Sequence, residues 1–236
     1  MSTPSYGKLY LIPNFLSDDN QEDFIAEMVR RMVNHLKHFV VENEKEARAL
    51  IKKLRIQHTQ QEIQIWLLNE HTNPQEIPGL LKALEGNDAG IISDAGLPCV
   101  ADPGSALVAL AQNKNIEVIP LPGASSLMMA LMGSGFSGQQ FTFSGYLPID
   151  KTPRAKRIKE LESLAHKGVS QIFMETPYRN RQLFEDLVLN LNAQTKLCIA
   201  CNMSSDKSWV QTKTIAQWKT RKPEMHKIPC VFVLGT

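Results

Sequence analysis

The chain has 236 residues, 43% hydrophobic and 21% charged, which supplies one large core or two smaller ones and excludes a disordered chain. Its first residues, MSTPSYGKLYLIPNFL, lack a basic leading segment, and no apolar run reaches about 18 residues, so neither a signal peptide nor a membrane span is expected, and the expected location is cytoplasmic. The net charge of +2 hides an uneven split: residues 1–122 hold 11 basic and 16 acidic side chains and residues 123–236 hold 15 and 8, a basic half compatible with a polyanionic partner or with a solvated helix face.

Gly7 to Ile12 reads as a first strand stopped by Pro13-Asn14. A polar segment follows in which Ser17, Asp18 or Asp19 can cap a helix. Phe24, Met28, Met32 and Leu36 then recur at helical spacing, with the two methionines read as core filler. His38 to Val41 is a short strand ending at Glu42-Asn43-Glu44. Glu46 to Leu54 is a helix with Ala47, Leu50, Ile51 and Leu54 on one face. Ile63 to Leu68 alternates like a strand and runs into the polar turn Asn69-Glu70-His71-Thr72, and Pro78 to Leu84 forms a short helix.

The stretch Ala89 to Gly104, AGIISDAGLPCVADPG, combines a buried-type strand, an acid at its end and a small-residue loop. Ligands of open parallel α/β sheets bind beyond the carboxyl ends of strands, so Asp94 stands where a ligand is expected; an ordinary turn in which Asp94 bonds only backbone amides fits the pattern equally. Asp102-Pro103 has the chemistry of a helix start, an acidic N-cap with proline at the first helical position. That helix runs to about Asn113, and Glu117 to Pro122 is the next strand. Pro120, Pro122 and Gly123 mark a change of domain, giving 1–122 and 123–236.

Beyond this hinge Gly123 to Ser126 caps a helix from Leu127 to Met132, whose methionines Met128, Met129 and Met132 are read as packing. Gln140 to Tyr146 is a strand. Lys151 to Lys167 is a basic helix with Ile158, Leu161 and Leu164 inward and Arg154, Lys156, Arg157 and Lys159 solvated. Val169 to Glu175, Lys196 to Met203 and Pro229 to Leu234 are strands, Leu183 to Leu191 is a helix, and the segment flanked by Trp209 and Trp218 has no clear assignment. Cys198 and Cys201 have the spacing of a redox or metal pair, but three residues apart in a strand they point to opposite faces, so they are read as packed thiols and no metal is assigned. Strands alternating with helices give an α/β fold with two sheets and a cleft between the domains as the natural site.

Five segments occur in order: GKLYLIPNFLSD, AGIISDAGLPCVADPG, VIPLPGASSLMMALMGSGF, FTFSGYLP and FMETPYR. Together they resemble the tetrapyrrole methylase superfamily, and within it the arrangement is most similar to the bacterial small-subunit rRNA ribose 2′-O-methyltransferase branch, of the methyltransferase I type. The resemblance runs from Gly7 to Gly235. It implies two α/β domains with mixed sheets, a homodimer, and S-adenosylmethionine bound in the interdomain cleft. It also implies cofactor contacts at Pro13 and Leu16 after the first strand, at Asp94 and Leu97, at Ser125 and Ser126 after the hinge, and at Met174, Ala200 and Pro229 in the second domain. The branch's acidic Glu-Asp-Thr-Arg element reads Glu42-Asn43-Glu44-Lys45 here, and its glycine-containing first loop reads Asn14-Phe15-Leu16. Its His-Glu-His-Asn element is kept in part as Asn69-Glu70-His71-Thr72, and its Ala-Arg-Glu element is Ala200-Cys201-Asn202. A paralogue with a changed substrate is therefore an open alternative.

Methyl transfer from a sulfonium needs a nucleophile held in line and no metal; alignment alone supplies roughly 7–11 kcal/mol of barrier reduction. A ribose hydroxyl gains roughly 10²- to 10⁴-fold more from a positioned base, for which Glu42, Glu70, His71 and Glu175 are the candidates. Three readings stand: methylation of small-subunit rRNA at a ribose 2′-OH, C-methylation of a tetrapyrrole or other small molecule, and a cofactor-binding module without turnover.

Overall fold

The computed structural model describes residues 5–17 and 25–236. The chain divides into two compact units, Met1–Ser125 and Ser126–Thr236. The sequence places the division before Gly123, but Gly123 stands so close to Pro13 and Leu97 that a Cβ on it would lie 2.1 Å from the Pro13 Cβ, which keeps it with the first unit.

The first unit is an all-parallel sheet of β1 (Leu9–Ile12), β2 (His38–Val41), β3 (Gln64–Leu67), β4 (Ala89–Ile92) and β5 (Val118–Pro120), in the order β3-β2-β4-β1-β5. Such a sheet needs cover on both faces, and the strand residues divide accordingly. Ile12, Phe39, Val41 and Ile92 face a core shared with α1 (Glu27–Val33) and α2 (Glu44–Lys53). Leu9, Val40, Ala89 and Ile91 face another, shared with a 3-10 helix (Ile77–Leu84) and α3 (Gly104–Asn113). In α2 the Asn43 side chain accepts from the N–H groups of Lys45 and Glu46, acids occupy the first turn and lysines the last, so cap and dipole agree with the buried stripe Ala47, Leu50 and Ile51.

The second unit is a mixed sheet ordered β6-β7-β10-β8-β9, made of β6 (Phe141–Tyr146), β7 (Ser170–Met174), β8 (Lys196–Cys201), β9 (Trp209–Thr214) and β10 (Cys230–Gly235). Strand β10 runs antiparallel to both β7 and β8, and β9 antiparallel to β8. On one face α5 (Lys151–His166), α6 (Asn180–Asn190) and α7 (Ile215–Thr220) enclose a core of Ile158, Leu161, Phe184, Trp218 and Phe232; α4 (Ser126–Ser134) lies on the other, where Gly133 approaches Val210.

Several sequence expectations are corrected. The α1 helix is shorter than the Phe24–Leu36 pattern, and Phe24, Asp18 and Asp19 lie outside the described residues. Met28, Met128 and Met132 are exposed rather than packed, Met132 by 82%, and Leu164 is partly exposed. Arg154 is not solvated: it is 1% exposed, donates to the carbonyls of Pro148 and Ile149, and pairs with Asp186 at 2.7 Å. Asp102 is not the helix N-cap, a position taken by Pro103, although its carboxylate still accepts from the N–H of Gly104 at 2.7 Å. Cys201 forms a disulfide with Cys230, its cross-strand partner, leaving Cys198 as the buried free thiol of the expected pair. The unassigned segment between the tryptophans is β9 and α7.

Candidate functional site

In the first unit the strands end in register, Val41 beside Ile92 and Ile92 beside Ile12, so the residues that follow gather along one edge of the sheet. Asn14, just past β1, locks two of these ends together. Its amide donates to the carbonyls of Ser93 at 2.9 Å and Asp94 at 3.0 Å, and its backbone N–H donates to the Gly96 carbonyl at 2.8 Å. The N–H of Asp94 in turn donates to Glu42, just past β2, at 3.2 Å. The backbone of Asp94 is thus held on two sides while its side chain is exposed.

The loops meet closely. Gly96 takes a left-handed φ of +69°, and a Cβ there would lie 3.1 Å from Leu16. A Cβ on Gly123 would lie 2.1 Å from the Cβ of Pro13 and 3.4 Å from Leu97, a spacing only glycine accommodates. Pro13, Leu16, Asp94 and Leu97, expected from sequence to act together, are therefore brought together. Among the described residues, Asp94, Leu16, Phe15 and Glu46 line a cavity of about 220 Å³.

Burial and mutual repulsion raise the acids of this edge. Burial pushes the Glu42 carboxyl up to about 7, with Asp102, Asp94 and Glu70 adding repulsion against the hydrogen bond from Asp94. Asp94 is raised for the same first reason, with Glu46 and Asp102 contributing. Asp102 is raised by burial, although its carboxylate accepts from Cys99 and Gly104, which makes it a loop clamp. Glu70 and His71 do not join this group by contact. They sit in an Asx turn after the edge strand β3, 86% and 84% exposed, and among the described residues they form an ion pair only with each other, at 3.6 Å.

In the second unit Met174, Val231 and Ala200 form one row across β7, β10 and β8. Pro229 stands on the same edge, exposed, its carbonyl accepting from Asn202 at 3.0 Å. Ala200 is fully buried and offers a wall without a polar group. Glu175 follows β7; one oxygen accepts from Arg179 at 2.7 and 3.0 Å and from the Thr176 N–H at 2.8 Å, while its other oxygen is buried without a hydrogen-bond partner among the described residues. A carboxylate so paired with a guanidinium clamps its loop. Ser125 closes the first unit and Ser126 opens α4, both half-buried.

Sequence reasoning misses the roles of Asn14, which it reads as a strand stop and loop residue, and of Gly123, which it reads as a hinge and helix cap. The available signal is an amide side chain directly after a buried strand, where backbone groups of neighbouring strand ends need partners.

The two-unit α/β architecture places an acid and close-packed glycine loops at the carboxyl edge of an open parallel sheet, the edge at which ligands of such sheets bind. The chain belongs to the family of Tetrapyrrole (Corrin/Porphyrin) Methylases, whose family model matches residues 22–218. It is 39% identical over 132 residues to the ribosomal RNA small subunit methyltransferase I of Synechocystis sp., covering 56% of this chain and 46% of that protein. To the protein of the same name from Halalkalibacterium halodurans it is 29% identical over 196 residues, 81% of this chain and 63% of that one. The chain thus spans about half the length of the curated relatives it matches. The crystal structure of the methyltransferase CobJ superimposes with a TM-score of 0.65 at 15% identity, covering 98% of this chain and 94% of that one, which establishes the shared fold.

Proposed function

We propose that the chain is an S-adenosylmethionine-dependent methyltransferase whose acceptor is a ribose 2′-hydroxyl of small-subunit rRNA. The observation that carries the donor half is the interlock of Asn14, Asp94 and Glu42, which presents a carboxylate and turned-out loops beside Leu16 and Leu97. These groups fit the donor: a carboxylate and carbonyls accept from its hydroxyl and ammonium groups, and glycines let backbone approach closely. The acceptor half is supported by relatives named for small-subunit ribosomal RNA. The donor, when bound, supplies the methyl group. Asp94, Leu97, Pro13 and Leu16 hold it, Ser125 and Ser126 add hydroxyl groups, and the family resemblance implies Met174, Ala200 and Pro229 as further contacts. Glu42, titrating near neutrality, takes the proton from the attacking hydroxyl. Glu70, His71 and Glu175 are set aside as the base by exposure or by pairing. Action on the ribosome in the cytoplasm and assembly as a homodimer belong to the same reading; light scattering of the purified protein checks the dimer.

The drifted elements Asn43-Glu44-Lys45 and Ala200-Cys201-Asn202 favour a second reading, C-methylation of a small molecule such as a tetrapyrrole. Calorimetry with S-adenosylmethionine should show binding by the wild type and about 10- to 100-fold weaker binding by Asp94→Ala, as loss of a charged hydrogen-bonding group requires. Undiminished affinity in that variant removes the donor assignment. Incubation with radiolabelled donor and small ribosomal subunits should leave label in rRNA at a ribose resistant to alkaline cleavage. Label found only in a small-molecule fraction selects the second reading, and donor binding with no transfer to either acceptor leaves a module without turnover.

A further inference from the structure

The second unit carries a groove that the donor loops do not use. Strand β9 is the edge of its sheet, and Trp209, Gln211 and Lys213 share the face that pairs with Cys201, Ile199 and Leu197 of β8. These three side chains form one wall of a cavity of about 410 Å³; Arg221 and Lys222, just past α7, form the other, and Trp218 the floor. The volume lies within the range of small-ligand clefts.

The groove is held open by its own packing. The indole N–H of Trp218 donates to the Leu197 carbonyl at 2.9 Å, which fixes the ring, and the ammonium of Lys213 sits 4.7 Å above that ring. Lys213 is thereby placed along the groove without an acidic partner. Arg221 is exposed, and among the described residues neither it nor Lys213 makes an ion pair. Lys222 meets Glu185 only at 3.9 Å, both side chains largely exposed. The one carboxylate in the groove, Glu224, accepts from the His226 N–H at 2.9 Å within its own turn. Trp209 is half-buried, with part of its surface available beside these cations.

We propose that this groove binds a single-stranded RNA segment, with Trp209 stacking on a base and Lys213, Arg221 and Lys222 contacting successive phosphates. The proposal rests on the rRNA reading of the function and gives it a surface in the second unit. An aromatic face on a sheet edge, with one cation beside it and two on the facing turn, matches a strand of stacked bases and phosphates. An acidic peptide satisfies the cations but does not set a planar ring beside every anionic group, as single-stranded RNA does, so RNA is the occupant.

Fluorescence anisotropy with a fluorescein-labelled 12-nucleotide polyuridine and the full chain tests this. The wild type should bind with an affinity that falls as salt rises. The variant Lys213→Gln/Arg221→Gln/Lys222→Gln should bind at least about 10-fold more weakly and flatten the salt slope by about 2, at about 0.7 for each phosphate no longer engaged. Trp209→Ala should lose roughly 5- to 100-fold, and Trp209→Phe should recover most of that loss. Circular dichroism melting of each variant separates weakened binding from a failure to fold. Wild-type affinity in the folded triple variant overturns the proposal, as does a Trp209→Ala loss that phenylalanine does not restore. Competition by polyglutamate as effective as that by unlabelled polyuridine overturns it too and assigns the groove to acidic peptides. If label reaches rRNA while the triple variant binds polyuridine normally, the groove fails and the methyltransferase reading stands. If the groove binds polyuridine but no label reaches rRNA, the rRNA reading fails and the groove stands.

Discussion

The two sheets place chemistry on their edges by different rules. In the first unit every strand runs the same way, so each carboxyl end, with the polar residue behind it, falls on one edge: Asn14, Glu42 and Asp94 meet there because Ile12, Val41 and Ile92 are in register. In the second unit β9 and β10 run against β6, β7 and β8. The edge reached by the carboxyl ends of β7 and β8 therefore also receives strand beginnings, Pro229 before β10 and Trp209 at the start of β9. A parallel sheet turns a sequence pattern directly into a site. A mixed sheet hides half of its edge from any rule about strand ends.

The sharpest way to break this contrast is to disturb the second unit alone. Arg154 is almost wholly buried, and its charge is satisfied by Asp186 and two carbonyls. Asp186→Ala leaves a buried guanidinium without its counter-charge, so unfolding followed by circular dichroism in urea should show a loss of about 3–5 kcal/mol. Calorimetry should still detect donor binding at the loops of the first unit under conditions where the variant remains folded. A loss below about 1 kcal/mol shows that the ion pair contributes as little as a surface pair.

Within the first unit the corresponding break is at Gly123. A valine there drives its side chain into Pro13 and Leu97, and overpacking of this kind costs about 1–3 kcal/mol. Because the clash falls on the donor loops, affinity for S-adenosylmethionine should fall along with the melting temperature. Unchanged affinity in Gly123→Val means that the loops bind nothing at this point.

These residues also show what the sequence reveals and why. Strand β4, strand β2 and the buried stripe of α2 are legible because period and flanking turn residues agree over a few residues, while the cap at Asn43, which starts the helix at Glu44 rather than Glu46, goes unread. Asp94 and Leu97 are legible as loop residues for the same reason. Arg154 is not, although it shares the helical face of Ile158, Leu161 and Ala165, because a charged side chain reads as solvated and only Asp186, 32 residues on, makes its burial tolerable. The Cys201–Cys230 disulfide follows from the register of β8 against β10, which no cysteine spacing encodes. Strand β9, WVQTKT, carries polar groups on both faces because it is an edge strand, so alternation does not announce it.

A smaller effect separates the two units by pH. Glu42 has a folded-state pKa of about 7 against an ordinary value of 4.5, raised mainly by burial. A carboxyl raised on folding is protonated in both states well below 4.5 and ionised in both well above 7; between these values the folded state alone holds the proton, so stability is lost as pH rises from about 4.5 through about 7. Glu42→Gln stays neutral. Its melting temperature should therefore gain on the wild type by several degrees between about pH 5 and pH 8, at roughly 2–4 °C per kcal/mol. A gap that stays flat shows that Glu42 is solvated and leaves the proposed reaction without its base.

The smallest effect concerns the wall of the β9 groove. Helix α7 has only six residues, too short to persist on intrinsic propensity, and it begins with a capping box. The Thr214 hydroxyl accepts from the Gln217 N–H at 3.3 Å, and the Gln217 side chain accepts from the Thr214 N–H at 2.9 Å. Thr214→Ala removes one half of this exchange and should cost about 0.5–1 kcal/mol, read as a small drop in the urea midpoint. Trp218, fully buried, anchors the helix from its middle, so the fold should survive while the last turn before Arg221 and Lys222 loosens. Amide exchange in Lys219 to Lys222 should quicken, while exchange in β1 and β4 stays as in the wild type. Faster exchange in both sheets means that the two units unfold as one, and the separate rules by which their edges are built then do not extend to their stability.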